Sequence, residues 1–282
     1  MENKMNEKLI LYIQPKGFGD LLMSTPIFRE LNKKYLEYKL DLLTEKGYDE
    51  ILKGNPHINK IYNSEKMVNF NLYHKIFRPF VRTQSNEKWE KLGKHMVDLY
   101  ASECSIKLND YRTNIYPLKI NLRKYGIKEE DKLICIQSKS GFIVKDWSYE
   151  NFNKLIQILI KKGYKIITIG AKGDPHFKST IDLIGKLNIR ESAYIISKSK
   201  LFLGVDSIGL HMASSLNIIA IGLYGGTKAE LVKPLSNNKF ISIEPKYRNG
   251  CSEACHSACK KENLCIDNIT IEQVYKTIKK FI

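Results

Sequence analysis

Apolar and polar residues alternate along most of the chain in runs whose lengths suit strands followed by helices. Near the start, Leu9–Ile13 is a short aliphatic run that predicts a buried strand. A turn containing proline and two glycines follows, and the apolar residues between Leu21 and Leu31 then recur at helical spacing. The opening segment therefore predicts a strand, a glycine loop and a helix, a combination that offers backbone N–H groups to an anion.

The rest of the first half is less regular. We predict a strand over 39–44, a short strand at the end of 51–62 and a helix over 95–104. Residues 63–93 are polar and interleaved with aromatic and basic side chains, which is typical of a specificity loop but equally of a helical pair with surface lysines. The polar, proline-containing run 111–128 is predicted to link two domains.

The second half alternates strands and helices more clearly. The predicted strands cover 133–137, 165–169, 201–205 and 218–223, and the predicted helices cover 149–162, 177–187, 191–197, 211–216 and 270–281. Such alternation is typical of parallel sheets. We therefore predict the α/β class with two Rossmann-like α/β/α domains facing across a cleft. The predicted domains are 1–128 and 129–250, followed by a cysteine-rich segment and terminal helix over 251–282.

The amino-acid composition limits the classes of binding partner that we expect. The 282 residues include 46 Lys and Arg against 30 Asp and Glu, a formal net charge of +16 that favours anionic partners such as nucleotides, phosphorylated substrates or lipid surfaces. The lysines are dispersed, so we do not expect nucleic-acid binding. No apolar run reaches the roughly 20 residues of a membrane span, and the first residues lack a signal-peptide core. We predict a soluble, cytoplasmic protein.

Candidate chemistry follows the predicted strands. Ser138–Gly141, leading to Lys145, could hold a phosphate oxygen, although Lys145 is also interpretable as a solvated surface lysine. Asp174 could accept hydrogen bonds from a ribose or serve as a turn residue. The loop 206–211 suits phosphate or sugar hydroxyls better than a catalytic triad, whose members come from distant segments. Asp20 is either a helix cap or a carboxylate at the mouth of a sheet.

Several segments resemble, in order, those of glycosyltransferase family 9, the ADP-heptose:lipopolysaccharide heptosyltransferases. They are Gly17-Phe18-Gly19-Asp20-Leu21-Leu22 with Thr25-Pro26, Asn55-Pro56, Lys145-Asp146-Trp147, and the stretch from Gly185-Lys186-Leu187 through Glu191 to Asp206-Ser207 and His211. The matches spread from residue 9 to about 230. The resemblance implies the GT-B fold and an inverting glycosyltransferase of lipopolysaccharide biosynthesis, one that moves heptose from ADP-heptose to a lipopolysaccharide or lipooligosaccharide core or related glycan.

The resemblance also implies roles for individual residues. Asp20 would be the general base in the loop that contains Gly17 and Gly19, and Lys145, with Ser138 and Ser140, would neutralise the leaving diphosphate. The other implied donor contacts are Asp174 for the ribose, the Leu187 backbone for the adenine, and Asp206, Ser207, Gly209 and His211 for the diphosphate and sugar. No cofactor is expected for the chemistry. The implied partners are ADP-heptose and an anionic glycolipid or glycan acceptor, with peripheral contact at the inner face of the cytoplasmic membrane.

Three departures from the family pattern keep alternatives open. Gln14 stands where many members have arginine, Gln137-Ser138 replace a common His-Pro, and Ile208 displaces a glycine by one residue. A catalytically inactive nucleotide-sugar-binding protein, another nucleotide sugar as donor, or a protein acceptor are the alternative interpretations.

Four cysteines lie close together near the end of the chain. Cys251, Cys255, Cys259 and Cys265 are separated by three, three and five residues, which is not a common zinc spacing. Together with His256 they could bind a structural zinc or iron; they could also remain free thiols or form disulfides, which cytosolic proteins rarely keep. We expect no catalytic role for them.

Overall fold

The chain forms two compact α/β units. The computed structural model describes residues 8–79, 92–236, 239–247, 259 and 264–282. Its backbone packing divides the chain into Met1–Tyr116 and Pro117–Ile282, and each unit is built on a parallel sheet. The predicted α/β class is therefore confirmed. The run 111–128, which we predicted to link two domains, is divided between the units, and residues 117–128 belong to the second unit.

A four-stranded parallel sheet forms the centre of the first unit. Its elements are β1 (Lys8–Ile13), α1 (Phe18–Lys34), β2 (Tyr38–Leu43), β3 (Lys60–Tyr62), β4 (Tyr73–Phe77) and α2 (Met96–Glu103), with 3-10 turns at Tyr48–Leu52, Glu65–Met67 and Phe70–Leu72. The strand order is β3-β2-β1-β4, so the chain leaves β1 first to one side and then to the other. Ligands of open α/β sheets bind outside the carboxyl ends of the strands at such a reversal. In this unit the reversal of strand order lies between β1 and β4.

Helix α1 follows β1 because the intervening turn contains a glycine in the left-handed region. Gly17, with φ of 92°, lies directly before Phe18, the first helical residue. Pro26 inside the helix cannot donate to the carbonyl of Leu22 four residues earlier, and the hydroxyl of Thr25 donates to that carbonyl at 2.8 Å instead. The helix therefore continues through the proline.

The second unit has a six-stranded parallel sheet. Its elements are β5 (Leu133–Gln137), α3 (Tyr149–Lys161), β6 (Lys165–Thr168), β7 (Ile181–Asp182), α4 (Ile189–Ser197), β8 (Leu201–Val205), α5 (Ile208–Ser215), β9 (Ile219–Leu223), α6 (Ala229–Val232), β10 (Phe240–Ile243) and α7 (Ile271–Ile278), with 3-10 turns at Leu122–Tyr125, Ile143–Lys145 and Cys265–Asn268. The order β10-β9-β8-β5-β6-β7 is that of the doubly wound nucleotide-binding sheets. Its reversal lies between β5 and β8.

Two segments differ from the sequence prediction. The helix predicted over 177–187 is wrong, because Ile181–Asp182 form the edge strand β7 beside β6. Phe177, Leu183 and Ile184 are buried and have helical spacing, but Ser179 has φ of 63° and breaks the helical path. Strand β4 was not predicted, because most of its residues are exposed at the edge of the sheet and show no alternating pattern.

The end of the chain completes the core of the second unit. Ile266, Ile269, Val274 and Ile278 are fully buried in the cluster that surrounds the sheet. The Trp147 indole N–H donates to the carbonyl of Ile269 at 2.9 Å. The terminal segment therefore supports the turn that follows β5. Of the helices in the described part of the chain, none has the length and apolarity that a membrane span requires.

Candidate functional site

The candidate site residues of the first unit surround Asp20. This residue lies in the first turn of α1, directly after β1, the strand at which the sheet order reverses. Asp20 is half-buried, and its Oδ1 accepts a hydrogen bond from the hydroxyl of Tyr100 at 2.7 Å. A Cβ atom on Gly17 would lie 2.3 Å from Asp20 Oδ2, so the close approach of the carboxylate requires glycine there. Gly19 precedes Asp20 in the same turn. The carboxylate is therefore fixed in orientation.

The backbone of Asp20 is tied to the core through a second set of bonds. The Ser24 hydroxyl donates to the carbonyl of Asp20 at 2.8 Å and lies 2.9 Å from the hydroxyl of Tyr12. Burial raises the pKa of Tyr12 well above its usual value, so its phenol stays neutral. The Tyr12 ring packs edge-on against Phe28, with centroids 4.9 Å apart. These contacts anchor the start of α1 to strand β1.

In the second unit an ion pair bridges the two sides of the sheet reversal. Lys145 Nζ lies 2.8 Å from Asp206 Oδ2, and the two side chains are only 11% and 7% exposed. Lys145 ends the 3-10 turn after β5, and Asp206 directly follows β8. Removing either partner would leave the other as a buried, uncompensated charge. The structure thus brings together two residues that the resemblance assigned to the donor.

A second ion pair holds the loop between β5 and Lys145. Lys139 Nζ lies 2.6 Å from Asp146 Oδ2, and the Ser140 backbone N–H donates to Asp146 Oδ1 at 2.8 Å. The Ser140 hydroxyl donates to the Phe142 carbonyl and accepts from the Phe142 N–H, which closes a local turn. Ser138 is buried directly after β5. These internal contacts fix the conformation of the loop.

Gln137 connects β5 to the start of α5, a role that sequence reasoning missed. Its Oε1 accepts from the Gly209 N–H at 3.2 Å, and its Nε2 donates to the Ser207 hydroxyl at 3.2 Å. A Cβ on Gly209 would lie 2.3 Å from the Phe202 ring and 2.4 Å from Gln137 Oε1, so only glycine fits. Gln137 is therefore hydrogen-bonded to Ser207 and Gly209 directly after Asp206 at the reversal.

The signal for this role was a short repeat at the ends of the first strands of the two units. Ile13-Gln14-x-Lys16 and Ile136-Gln137-x-Lys139 share the pattern Ile-Gln-x-Lys. In each copy the glutamine Nε2 donates to the lysine carbonyl, at 3.0 Å for Gln14 and 3.3 Å for Gln137. The Oε1 of Gln14 is buried and has no hydrogen-bond partner among the described residues. Gln14 and Gln137, which both depart from the family pattern, thus each close the turn that follows their strand.

The remaining predicted residues lie along the same edge of the second sheet. His211 is buried in α5. Asp174, in the loop after β6, accepts from the Ala171 N–H at 2.9 Å, which agrees with its interpretation as a turn residue. Leu187 is half-buried directly before Asn188, which caps α4 in a capping box with Glu191. The structure therefore does not join Asp174 or Leu187 to the contacts of Lys145.

Two buried hydroxyls after β9 were also missed. Tyr224 and Thr227 are almost fully buried, and neither hydroxyl has a hydrogen-bond partner among the described residues. Burial raises the pKa of Tyr224 well above its usual value, and the negative charge of Asp206 adds to this effect. The run Tyr-Gly-Gly-Thr after an apolar strand was the available signal.

The proposed metal-binding cysteines are only partly described. Cys251, Cys255 and His256 lie outside the described residues. Cys259 is half-buried and Cys265 is buried. In the ranges that the structure describes, no group of three or more His, Cys, Asp or Glu side chains could hold a metal ion. Metal binding by the full cysteine cluster stays a prediction.

Comparisons with known proteins agree on one family. The sequence model of glycosyltransferase family 9 (heptosyltransferase) matches residues 62–264. Lipopolysaccharide heptosyltransferase 3 of Escherichia coli is 26% identical over 82% of this chain and 87% of its own length. Lipooligosaccharide heptosyltransferase 2 of Haemophilus influenzae is 29% identical, with 82% and 87% covered.

Solved structures show the same fold. The glycosyltransferase family 9 protein of Veillonella parvula has a TM-score of 0.75 at 17% identity and covers 100% of this chain and 98% of its own. The iron-containing dodecameric glycosyltransferase TibC of Escherichia coli has a TM-score of 0.74 at 16% identity, with 98% and 76% covered. The predicted GT-B fold is confirmed. Since the family model covers most of the chain, this protein belongs to glycosyltransferase family 9, the heptosyltransferase family.

Proposed function

We propose that this protein transfers heptose from ADP-heptose, with inversion, to a hydroxyl of a lipopolysaccharide or lipooligosaccharide core. The family match and relatives named as heptosyltransferases support the reaction, and TibC has been solved in complex with ADP-D-beta-D-heptose. The observation that carries the proposal is the Lys145–Asp206 pair, which lies at the reversal of a sheet with nucleotide-binding strand order.

Asp20 is the general base of the proposed reaction. Its carboxylate, ionised at neutral pH, takes the proton from the acceptor hydroxyl as that oxygen bonds to the anomeric carbon of heptose. The bond from this carbon to the diphosphate oxygen breaks, and its electron pair leaves with ADP. Because the attack and departure occur on opposite faces in one step, the anomeric configuration inverts. The half-buried position of Asp20 supports this role, since the carboxylate is neither enclosed nor fully solvated.

Lys145 compensates the charge that develops on ADP. A fixed ammonium in a largely buried site stabilises a leaving diphosphate more than a solvated lysine does. We assign the leaving phosphate to Lys145 and to the loop that contains Ser138 and Ser140, which lies between β5 and Lys145. A lysine in this role makes a metal or other cofactor unnecessary for the transfer.

The other donor contacts are proposed from the positions of the residues along the sheet edge. Asp206, Ser207, Gly209 and His211 surround the start of α5 and are assigned to the diphosphate and sugar. Asp174 is assigned to the ribose, with one oxygen retained by the Ala171 N–H, and the Leu187 backbone is assigned to the adenine.

The acceptor side is proposed from charge and exposure. The net charge of +16 favours an anionic glycolipid. In the first unit, Met67, Leu72 and Ile76 are exposed apolar residues, and the basic side chains of Lys66 and Lys75 lie among them in sequence. This combination supports peripheral contact with the cytoplasmic face of an anionic membrane.

The donor assignment predicts which nucleotides stabilise the protein. We expect ADP and ADP-heptose to raise the melting temperature, with about 2.7 kcal/mol of stabilisation at a hundredfold excess over Kd. We expect UDP, GDP and CDP to have little effect in the same thermal-shift assay. Stabilisation by UDP in place of ADP would contradict the donor assignment. Stabilisation by ADP-heptose without transfer to a heptose-deficient core would instead identify an inactive binding protein.

A further inference from the structure

The Asp20 carboxylate has a buried partner that the family resemblance did not assign. We propose that Tyr100 is a positioning residue for the base: its hydroxyl holds Asp20 Oδ1 and so fixes the plane of the carboxylate that takes the proton. This inference rests on the proposed function, because it specifies how the same carboxylate performs its step.

The geometry of the contact is that of a strong hydrogen bond. Tyr100 is fully buried on α2, and its hydroxyl donates to Asp20 Oδ1 at 2.7 Å, a length typical of O–H donors to an ionised carboxylate. Asp20 Oδ2 lies against Gly17, where any side chain would collide with it. Tyr100 thus binds Oδ1 of the carboxylate, and Oδ2 lies beside Gly17. Rotation of the carboxylate about its last bond is therefore restricted.

This bond affects both the orientation and the ionisation of the base. A carboxylate held in one plane loses less freedom when it meets the acceptor hydroxyl than one that rotates. A hydrogen bond donated to the charged form also favours that form, which keeps the base deprotonated at lower pH. The sequence gives no local sign of the contact, because the two residues are 80 positions apart.

Two buried titratable groups of the first unit, Tyr12 and Cys104, stay neutral in the neutral pH range. Tyr12 on β1 faces this region, and its pKa is raised well above its usual value, first by burial. Cys104, after α2, is buried, and this raises the pKa of its thiol to about 12. Neither Tyr12 nor Cys104 is therefore expected to contribute a charge change to the pH profile in the neutral range.

The test removes the Tyr100 hydroxyl alone. We expect Tyr100→Phe to lower kcat by about ten- to a hundredfold, as the loss of a hydrogen bond to a charged group predicts. The acid limb of the pH profile should move to higher pH, while the KM for the donor and the ADP-induced thermal shift should stay unchanged. Replacement of Tyr100 with the more acidic 3-fluorotyrosine should move the acid limb to lower pH, and this variant keeps the packing of the phenol.

A matched control exists on the same helix. The Tyr111 hydroxyl donates to Asp98 Oδ1, also at 2.7 Å, so Tyr111→Phe removes an equivalent bond to α2 without touching Asp20. We expect its kcat and pH profile to match those of the wild type. The inference is overturned if Tyr100→Phe resembles Tyr111→Phe, or if fluorination leaves the acid limb in place. The proposed function fails separately, through a wild-type enzyme that transfers no sugar or an Asp20→Asn variant that transfers it normally.

Discussion

Replacement of Asp20 with asparagine is expected to abolish sugar transfer while ADP binding survives. Asparagine has the shape of aspartate and can still accept a hydrogen bond from Tyr100, but it cannot take a proton. General-base catalysis contributes about a hundredfold to ten-thousandfold, so we expect kcat to fall by at least that range. Initial rates with ADP-heptose measure the loss, and the ADP-induced thermal shift reports on the donor site that we propose in the second unit.

Asp98 provides the control for this substitution. It is half-buried in the same unit and accepts from a tyrosine hydroxyl at 2.7 Å, as Asp20 does. Asp98→Asn should therefore reproduce the loss of a carboxylate charge without the loss of transfer. An Asp20→Asn variant with the kcat of Asp98→Asn would exclude Asp20 as the base.

Replacement of Lys145 with methionine is expected to remove both donor binding and transfer. The substitution deletes the positive charge and leaves Asp206 buried without its partner, which repels a diphosphate. We expect kcat/KM for the donor to fall by about a hundred- to a thousandfold, as for other residues that stabilise developing charge. The unfolding free energy should also fall by about 3–5 kcal/mol because the remaining charge is uncompensated. Transfer kinetics and denaturant unfolding measure the two effects.

A double substitution separates the stability effect from the effect on phosphate. Lys145→Met with Asp206→Asn removes both charges, so most of the stability should return while ADP binding stays lost. Lys165→Met is the control, since Lys165 pairs with Asp131 at 2.7 Å beside the amino ends of β5 and β6, away from the reversal. Normal ADP binding by the double variant would contradict a role for Lys145 at the diphosphate.

The elements that the sequence predicted well are those fixed by local patterns. Strand β1, the glycine turn and α1 follow from an apolar run, a left-handed glycine and helical spacing within one short stretch. Helix α3 was predicted at nearly its observed bounds, because Ser148 caps it and its buried residues share one face. Strand β4 and the segment 177–187 were not predicted correctly, since edge strands gain their order from a neighbour and not from their own pattern.

In the candidate site, too, the sequence predicted residues with a local signal but missed contacts between distant segments. The sequence and the family resemblance named Asp20, Lys145 and Asp206, but neither predicted that Lys145 and Asp206 form a buried ion pair. The contacts made by Tyr100 and Gln137 join residues from distant segments, so they depend on the tertiary structure alone. The glutamines looked like losses from the family pattern, yet each closes the turn after the first strand of its unit.

The proposed reaction is a direct displacement in which one carboxylate base activates the acceptor. The most direct measurement is the anomeric configuration of the sugar in the product, read by NMR after wild-type enzyme has acted on ADP-heptose and a heptose-deficient lipopolysaccharide core. We expect a product with the anomeric configuration opposite to that of the donor. A product that retains the donor configuration would contradict the proposed displacement, because retention requires a covalent intermediate or attack on the face of the leaving group.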